Sequence, residues 1–281
     1  MTEKSNQLKA LVNSSGYLFQ LAVEHEVRTN QAQTGWRILT REHPWKNPSD
    51  ATEGFIDLVL GQGEIRLVIE CKRPKGGVWV FLITDQRLMS ATRFRMCWTH
   101  IKPGRRDLVD WDDFFLDPES PESEFCVIRG GEDKEPVLER LARCVLSSTE
   151  ALALEQMILD RPLTLDKLGL LIPAIVTAAE LKVCKVDHKD IRLSDGTIDN
   201  PEFKTVPWIR FRKSLSILIA KGPGLTELSH ISQKKVRCIF VINSLHLSDF
   251  LKKFNYGKHV RMGLDPWFTA RQMEEWQNEQ G

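Results

Sequence analysis

Asp57, Glu70 and Lys72 are residues whose types and spacing can do chemistry. Asp57 sits inside the apolar run Phe55-Ile56-Asp57-Leu58-Val59-Leu60. Glu70-Cys71-Lys72 closes a second run that starts at Ile65, and Gly61-Gln62-Gly63-Glu64 lies between the two. Both runs read as strands and the segment between them as a hairpin turn. Period-2 alternation puts Glu70 and Lys72 on one face of their strand. A hairpin centred between Gln62 and Gly63 sets Asp57 opposite Val68. Glu70 is then its diagonal neighbour, within reach of a shared ion. Two ionised carboxylates in an otherwise apolar sheet are costly unless something compensates them. A hard divalent cation, Mg²⁺ or Mn²⁺, does so, with Asp57, Glu70 and the backbone carbonyl of Cys71 as oxygen donors. The chemistry this suits is phosphodiester hydrolysis. The cation polarises the phosphate and lowers the pKa of a bound water. Lys72 positions that water or offsets the charge developing on phosphorus.

Asp57, followed after twelve residues by Glu70-Cys71-Lys72, resembles the motif of the PD-(D/E)XK nuclease superfamily. Restriction endonucleases, Holliday-junction resolvases and RecB-type nucleases belong to it. The resemblance covers roughly residues 14–80, then a helix at 135–160 and a strand at 170–184. It implies an α/β fold with a restriction-endonuclease-like αβββαβ core and a mixed sheet, elaborated by extra strands and helices. It also implies a divalent-metal site, DNA as substrate, and a role in restriction, repair or defence. Ile56 stands where the family often has proline. The family's first helix often carries a metal-linked glutamate after a Gly-x-x-Phe-Glu run. Here the run is Gly16-Tyr17-Leu18-Phe19-Gln20, so Gln20 takes that place. Glu24, one turn further on the same face, is the carboxylate that can substitute. Glu26 points about 120° away from Gln20 around the helix.

The elements that must position these residues follow from periodicity. Leu8, Leu11, Val12, Leu18, Phe19, Ala22, Val23 and Val27 recur at helical spacing, and Ser14-Ser15-Gly16 interrupts the run. Trp36–Thr40 reads as a strand and Pro44–Asp50 as a loop. After the hairpin, Val78–Ile83 and Phe94–His100 read as strands, and 102–134 as loop-rich and acidic. Residues 135–160 form an amphipathic helix. Ile172–Val186 reads as one long strand or a bent pair, and Val206–Phe211 and Val236–Ser244 as strands. Ser248–Phe254 starts a short helix, and Gln272–Gln280 is a polar terminal helix. No linker divides the chain convincingly. One elaborated domain is expected, with its core in 14–100 and 135–245 and an acidic insertion at about 107–134.

The 281 residues are 42% hydrophobic and 27% charged, the composition of a soluble globular protein. The net charge of +1 gives no global attraction to nucleic acid. It conceals two blocks: nine basic residues and one acidic in 71–106, then twelve acidic and two basic in 107–139. Either the blocks pair with each other, or the basic one faces phosphate while the acidic one shields it or docks a partner. Trp208, Arg210 and Arg212 share a strand face, lining a nucleic-acid groove or guarding an edge. The tryptophans are core or interface, or one or two of them stack on splayed bases. No apolar run approaches the ~20 residues of a membrane span, and Met1–Lys9 lacks the apolar core of a secretory signal. Six scattered cysteines form no CxxC pair and read as reduced thiols, which suits the cytoplasm. Glu24-His25-Glu26 is not a zinc protease motif, because Thr29 stands where the second histidine belongs. A metal-dependent nuclease gated by a protein partner or a second copy is the first expectation. A catalytically inactive subunit of the same fold, binding nucleic acid or protein, is the alternative.

Overall fold

The computed structural model describes residues 3–47, 52–74, 77–101, 108–128, 137–160, 167–214, 232 and 234–256. The leading helical run divides at Ser15-Gly16 into α1 (Glu3–Ser14) and α2 (Tyr17–Thr34). Gly35 ends α2 with φ 73°, a left-handed conformation that glycine adopts without a Cβ clash, and its N–H returns to the Gln31 carbonyl. Three antiparallel strands follow: β1 (Arg37–Lys46), β2 (Glu53–Gln62) and β3 (Ile65–Lys72). Then come β4 (Val78–Ile83), β5 (Ala91–Ile101), β6 (Leu108–Ser120), β7 (Glu122–Ser123) and β8 (Phe125–Ile128). The long helix α3 (Val137–Asp160) leads to β9 (Lys167–Thr177), which pairs in parallel with β3. The chain continues through β10 (Glu180–Lys185), β11 (Phe203–Val206), β12 (Trp208–Ser214), β13 (Val236–Asn243), α4 (Leu247–Lys253) and β14 (Asn255–Tyr256).

The main sheet is mixed and runs β1-β2-β3-β9-β13-β12-β7, with β5 joining on β9 and β6 on β5. A second sheet runs β11-β10-β4-β8. Alternation sorts the main strands onto two faces. Val59, Val68, Leu171, Ile175 and Val241 meet Leu138, Leu141, Val145 and Leu152 of α3. Leu58, Leu60, Leu67, Ile69, Ile172 and Phe240 meet Val23 and Val27 of α2 and Phe250 of α4. Burial on both faces explains why β3 and β9 read as near-continuous apolar runs. The molecule is thus mixed α/β, with four α-helices among the described residues, and none of them is long and apolar enough to cross a membrane.

Several local expectations change. The first strand does not stop before Pro44; β1 carries Pro44 opposite Phe55. It lies at the sheet edge, where a missing N–H breaks no ladder if it faces outward. The described part of the supposedly loop-rich 102–134 is strand: β6 pairs with β5 from Ala91↔Ser120 to His100↔Leu108. Ile172–Val186 is the bent pair, because β9 and β10 enter different sheets on either side of Ala178-Ala179. Val206–Phe211 likewise divides, at Pro207, between the two sheets. The terminal helix expected at Gln272–Gln280 lies outside the described residues.

Candidate functional site

The β2–β3 register differs by two residues on the partner strand from the expected one, with a consequence for the site. Gly61 pairs with Arg66 and Gln62 with Ile65, so the turn is Gly63-Glu64. Gly63 carries the positive φ, 56°. Gly61 is glycine for packing instead: a Cβ there would come within 2.7 Å of Leu39 Cδ1. The last cross-strand pair is Leu58↔Ile69, which sets Asp57 level with Glu70 rather than diagonal to it. There the ladder stops. The Asp57 Oδ2 accepts the Cys71 N–H at 2.6 Å, in place of a backbone carbonyl. On the other edge of β3, the Glu64 carbonyl accepts from Leu170 and the Lys72 carbonyl from Ala178. Even-numbered peptide groups of β3 therefore face β9, and odd-numbered ones face β2. The Cys71 carbonyl thus points to the same side as the Asp57 carboxylate, while its thiol packs on the α2 side of the sheet.

Electrostatics marks the same place. Burial pushes the Glu70 carboxyl up to about 7; the Asp57 carboxylate adds to the rise, Lys72 opposes it, and Glu42 adds a little more. Asp57 is raised by burial, held back by the Cys71 N–H, raised by Glu42 and lowered by Lys72. The Cys144 thiol of α3 is pushed up to about 11, first by burial and then by Glu70 and Asp57. Asp57, Glu70, the Cys71 carbonyl and Lys72 are therefore one constellation, and α3 backs it.

Glu42 is the participant that sequence reasoning missed. The β1–β2 ladder pairs Arg41 with Leu58 and His43 with Ile56, which sets Glu42 level with Asp57. Glu42, Asp57 and Glu70 thus form a row across three adjacent strands. Glu42 has φ 49°, an uncommon conformation for a residue with a Cβ, and marks a kink in β1. Only that long, kinked β1 brings it here, and the sequence around Pro44 reads as a loop. Buried Gln20 ties the row to α2: its Nε2 donates to Glu42 Oε1 and to the Asp57 carbonyl, the latter at 3.2 Å. Glu24 is engaged elsewhere. Arg28 donates Nε and Nη2 to its Oε1 at 3.0 and 2.8 Å, and Arg41 Nη1 lies 3.5 Å from its Oε2. The Arg28 hydrogen bonds hold the Glu24 carboxyl below its ordinary range against the opposing effect of burial, and Arg41 adds to the lowering.

The two charge blocks meet at Asp113 among the described residues. Asp113 of β6 meets Arg93 and Arg95 of β5 at 3.5 and 4.0 Å, and Arg212 of β12 at 2.9 Å. Lys75, Lys102, Arg105, Arg106 and residues 129–136 lie outside the described residues. Trp208 and Arg210 are buried, so they neither line a groove nor guard an edge, whereas Arg212 lines an open groove with Arg93 and Glu122. Arg210 is fully buried and donates to the Leu116 and Pro118 carbonyls at 2.6 and 3.1 Å. Trp79, Trp98, Trp111 and Trp208 are core. All six cysteines are free.

No protein-family model, curated protein or solved structure matches this chain. Among the described residues, no group of three or more His, Cys, Asp or Glu side chains is arranged to hold a metal ion. The donors that fit a hard cation are two carboxylates and one carbonyl. Their chemistry suits it: oxygen donors only, and carboxyls raised by burial and by neighbouring carboxylates, a state that added positive charge relieves.

Proposed function

We propose that this protein is a divalent-metal-dependent nuclease built on a restriction-endonuclease-like core and acting on DNA. The observation that carries the reading is the juxtaposition of Asp57 and Glu70 on adjacent strands, with Lys72 beyond them, where the β2–β3 ladder ends. The order of elements supports it: helix α2, antiparallel β1-β2-β3, helix α3, then β9 parallel to β3. Asp57, Glu70 and the Cys71 carbonyl would hold Mg²⁺ or Mn²⁺, which when bound activates water and polarises the phosphate. In the hydrolysis, the water oxygen forms a bond to phosphorus as the bond to the leaving sugar oxygen breaks. Lys72 supplies fixed positive charge against the charge that develops on the phosphoryl oxygens. Gln20 acts on the site indirectly, by fastening Glu42 and the Asp57 backbone to α2. Six unpaired thiols support a cytoplasmic setting. Restriction, repair or defence is the kind of role such an enzyme serves, and a protein partner or second copy would gate it. Free degradation of DNA by the monomer at physiological salt would count against gating.

The test is cleavage of plasmid and linear DNA with Mg²⁺ or Mn²⁺, by wild type, Asp57→Ala and Lys72→Ala, with EDTA as control. Cutting that requires metal and disappears in both variants is expected. Gln20, an amide where the resembled nucleases carry a carboxylate, favours a second reading: an inactive nucleic-acid-binding or protein-binding subunit. Absence of both cutting and divalent-metal binding would favour that reading over the nuclease.

A further inference from the structure

Beside the carboxylate row lies an open groove of about 230 Å³, lined by Tyr17, Gln20, Leu21, Glu24, Arg41 and Glu42. Glu24 is only 7% exposed. Its carboxylate receives positive charge from two directions. Arg28 comes from one turn further along α2, and Arg41 from β1. Those two side chains are 58% and 62% exposed. Each guanidinium carries five N–H donors, and Glu24 engages two of Arg28's and one of Arg41's. The other donors belong to side chains that are mostly in solvent. A helix-stabilising pair four residues apart requires neither a buried acid nor a third charge from another strand. This arrangement does something different: it fixes two exposed guanidinium groups in place from below.

The groove is coupled to the site by two side chains, Glu42, which belongs to the carboxylate row, and Gln20. Gln20 lines it and donates to the Asp57 carbonyl. A polyanion approaching Glu42, Asp57 and Glu70 meets repulsion, so fixed cations must hold it there. Lys72 and Arg73 follow Glu70 on the β3 side, Arg73 braced by the Asn13 carbonyl; on the β1 side Arg41 precedes Glu42 and shares Glu24 with Arg28. With a net charge of +1, the chain has no diffuse field to do this instead.

We propose that Arg28 and Arg41, braced by buried Glu24, are a phosphate clamp that seats the nucleic-acid backbone beside the carboxylate site. The inference rests on the nuclease-fold reading for its ligand but not on catalysis. The test is fluorescence anisotropy of a labelled DNA duplex in EDTA, across a series of KCl concentrations. Each phosphate contact contributes about 0.9 to the slope of log affinity against log salt. Arg28→Gln and Arg41→Gln are each expected to reduce that slope by about 1 and to weaken binding at low salt irrespective of sequence. Arg41→Lys keeps the charge and is expected to keep the slope. Arg192→Gln, in an exposed loop paired to Asp195 and Asp199, serves as the control and should change nothing. Thermal melts establish that each variant is folded. Folded Gln variants that retain the wild-type slope would overturn the clamp, as would a wild type with no salt-dependent binding to the duplex. Metal-dependent cutting with unchanged slopes would remove the clamp and leave the nuclease. Slope loss without any cutting would retain the clamp and remove the catalysis.

Discussion

Replacing Glu70 by glutamine tests the electrostatic argument without assuming any activity. Burial raises this carboxyl from about 4.5 in the unfolded chain to about 7 in the fold. The folded state therefore binds the proton more tightly. Below about pH 4 both states are protonated and the group costs nothing. As the pH rises through 4.5 the unfolded state ionises first, and stability is lost until the folded-state value near 7 is passed. The displacement corresponds to roughly 3 kcal/mol. Glu70→Gln removes this penalty. The variant is expected to match wild type at about pH 4 and to exceed it by up to roughly 3 kcal/mol at about pH 8. On the usual scaling for a domain of this size, that is roughly 5–10 °C in Tm. Glu150, also pushed up to about 7 in its burial beside Trp111 and Arg237, titrates in both proteins and cancels in the difference. Excess Mg²⁺ at about pH 8 should raise the Tm of wild type and not of the variant, because a ligand that binds only the folded state stabilises it. Denaturant and thermal melts across pH measure all of this. A stability difference independent of pH, or a variant less stable at about pH 8, would refute the reasoning.

Two further substitutions probe the scaffold. Arg210→Met leaves the Leu116 and Pro118 carbonyls without their buried donor, so a loss of about 1–3 kcal/mol by denaturant melt is expected, and a gain would contradict it. Gly169→Ala puts a Cβ within 2.5 Å of Thr99 Oγ1 across the β5–β9 ladder. It should cost about 1–3 kcal/mol, and Thr99→Ala in the same chain should recover most of that. Additive losses in the double variant would show that the two sites do not meet.

Residue order alone determined much of this molecule. Apolar alternation in Phe55–Leu60 and Ile65–Lys72, the glycines between them, and the helical spacing of Val23 and Val27 define a helix, a hairpin and where the acids sit on it. These are local properties, carried by backbone sterics and by which side chains shun water. The nearness of Asp57 and Glu70 was legible for the same reason, although their register was not. Two glycines competed for the turn, and Leu39, far along another strand, claimed the space above Gly61. Tertiary structure alone decided the rest. Glu42 joins the site because a kinked edge strand reaches past Pro44. Glu24 leaves it because arginines from a helix and a strand converge on its buried carboxylate. Asp113 neutralises basic residues that look free in the sequence. In each case the deciding partner is distant along the chain, and the energy of burying a charge depends on what surrounds it in space.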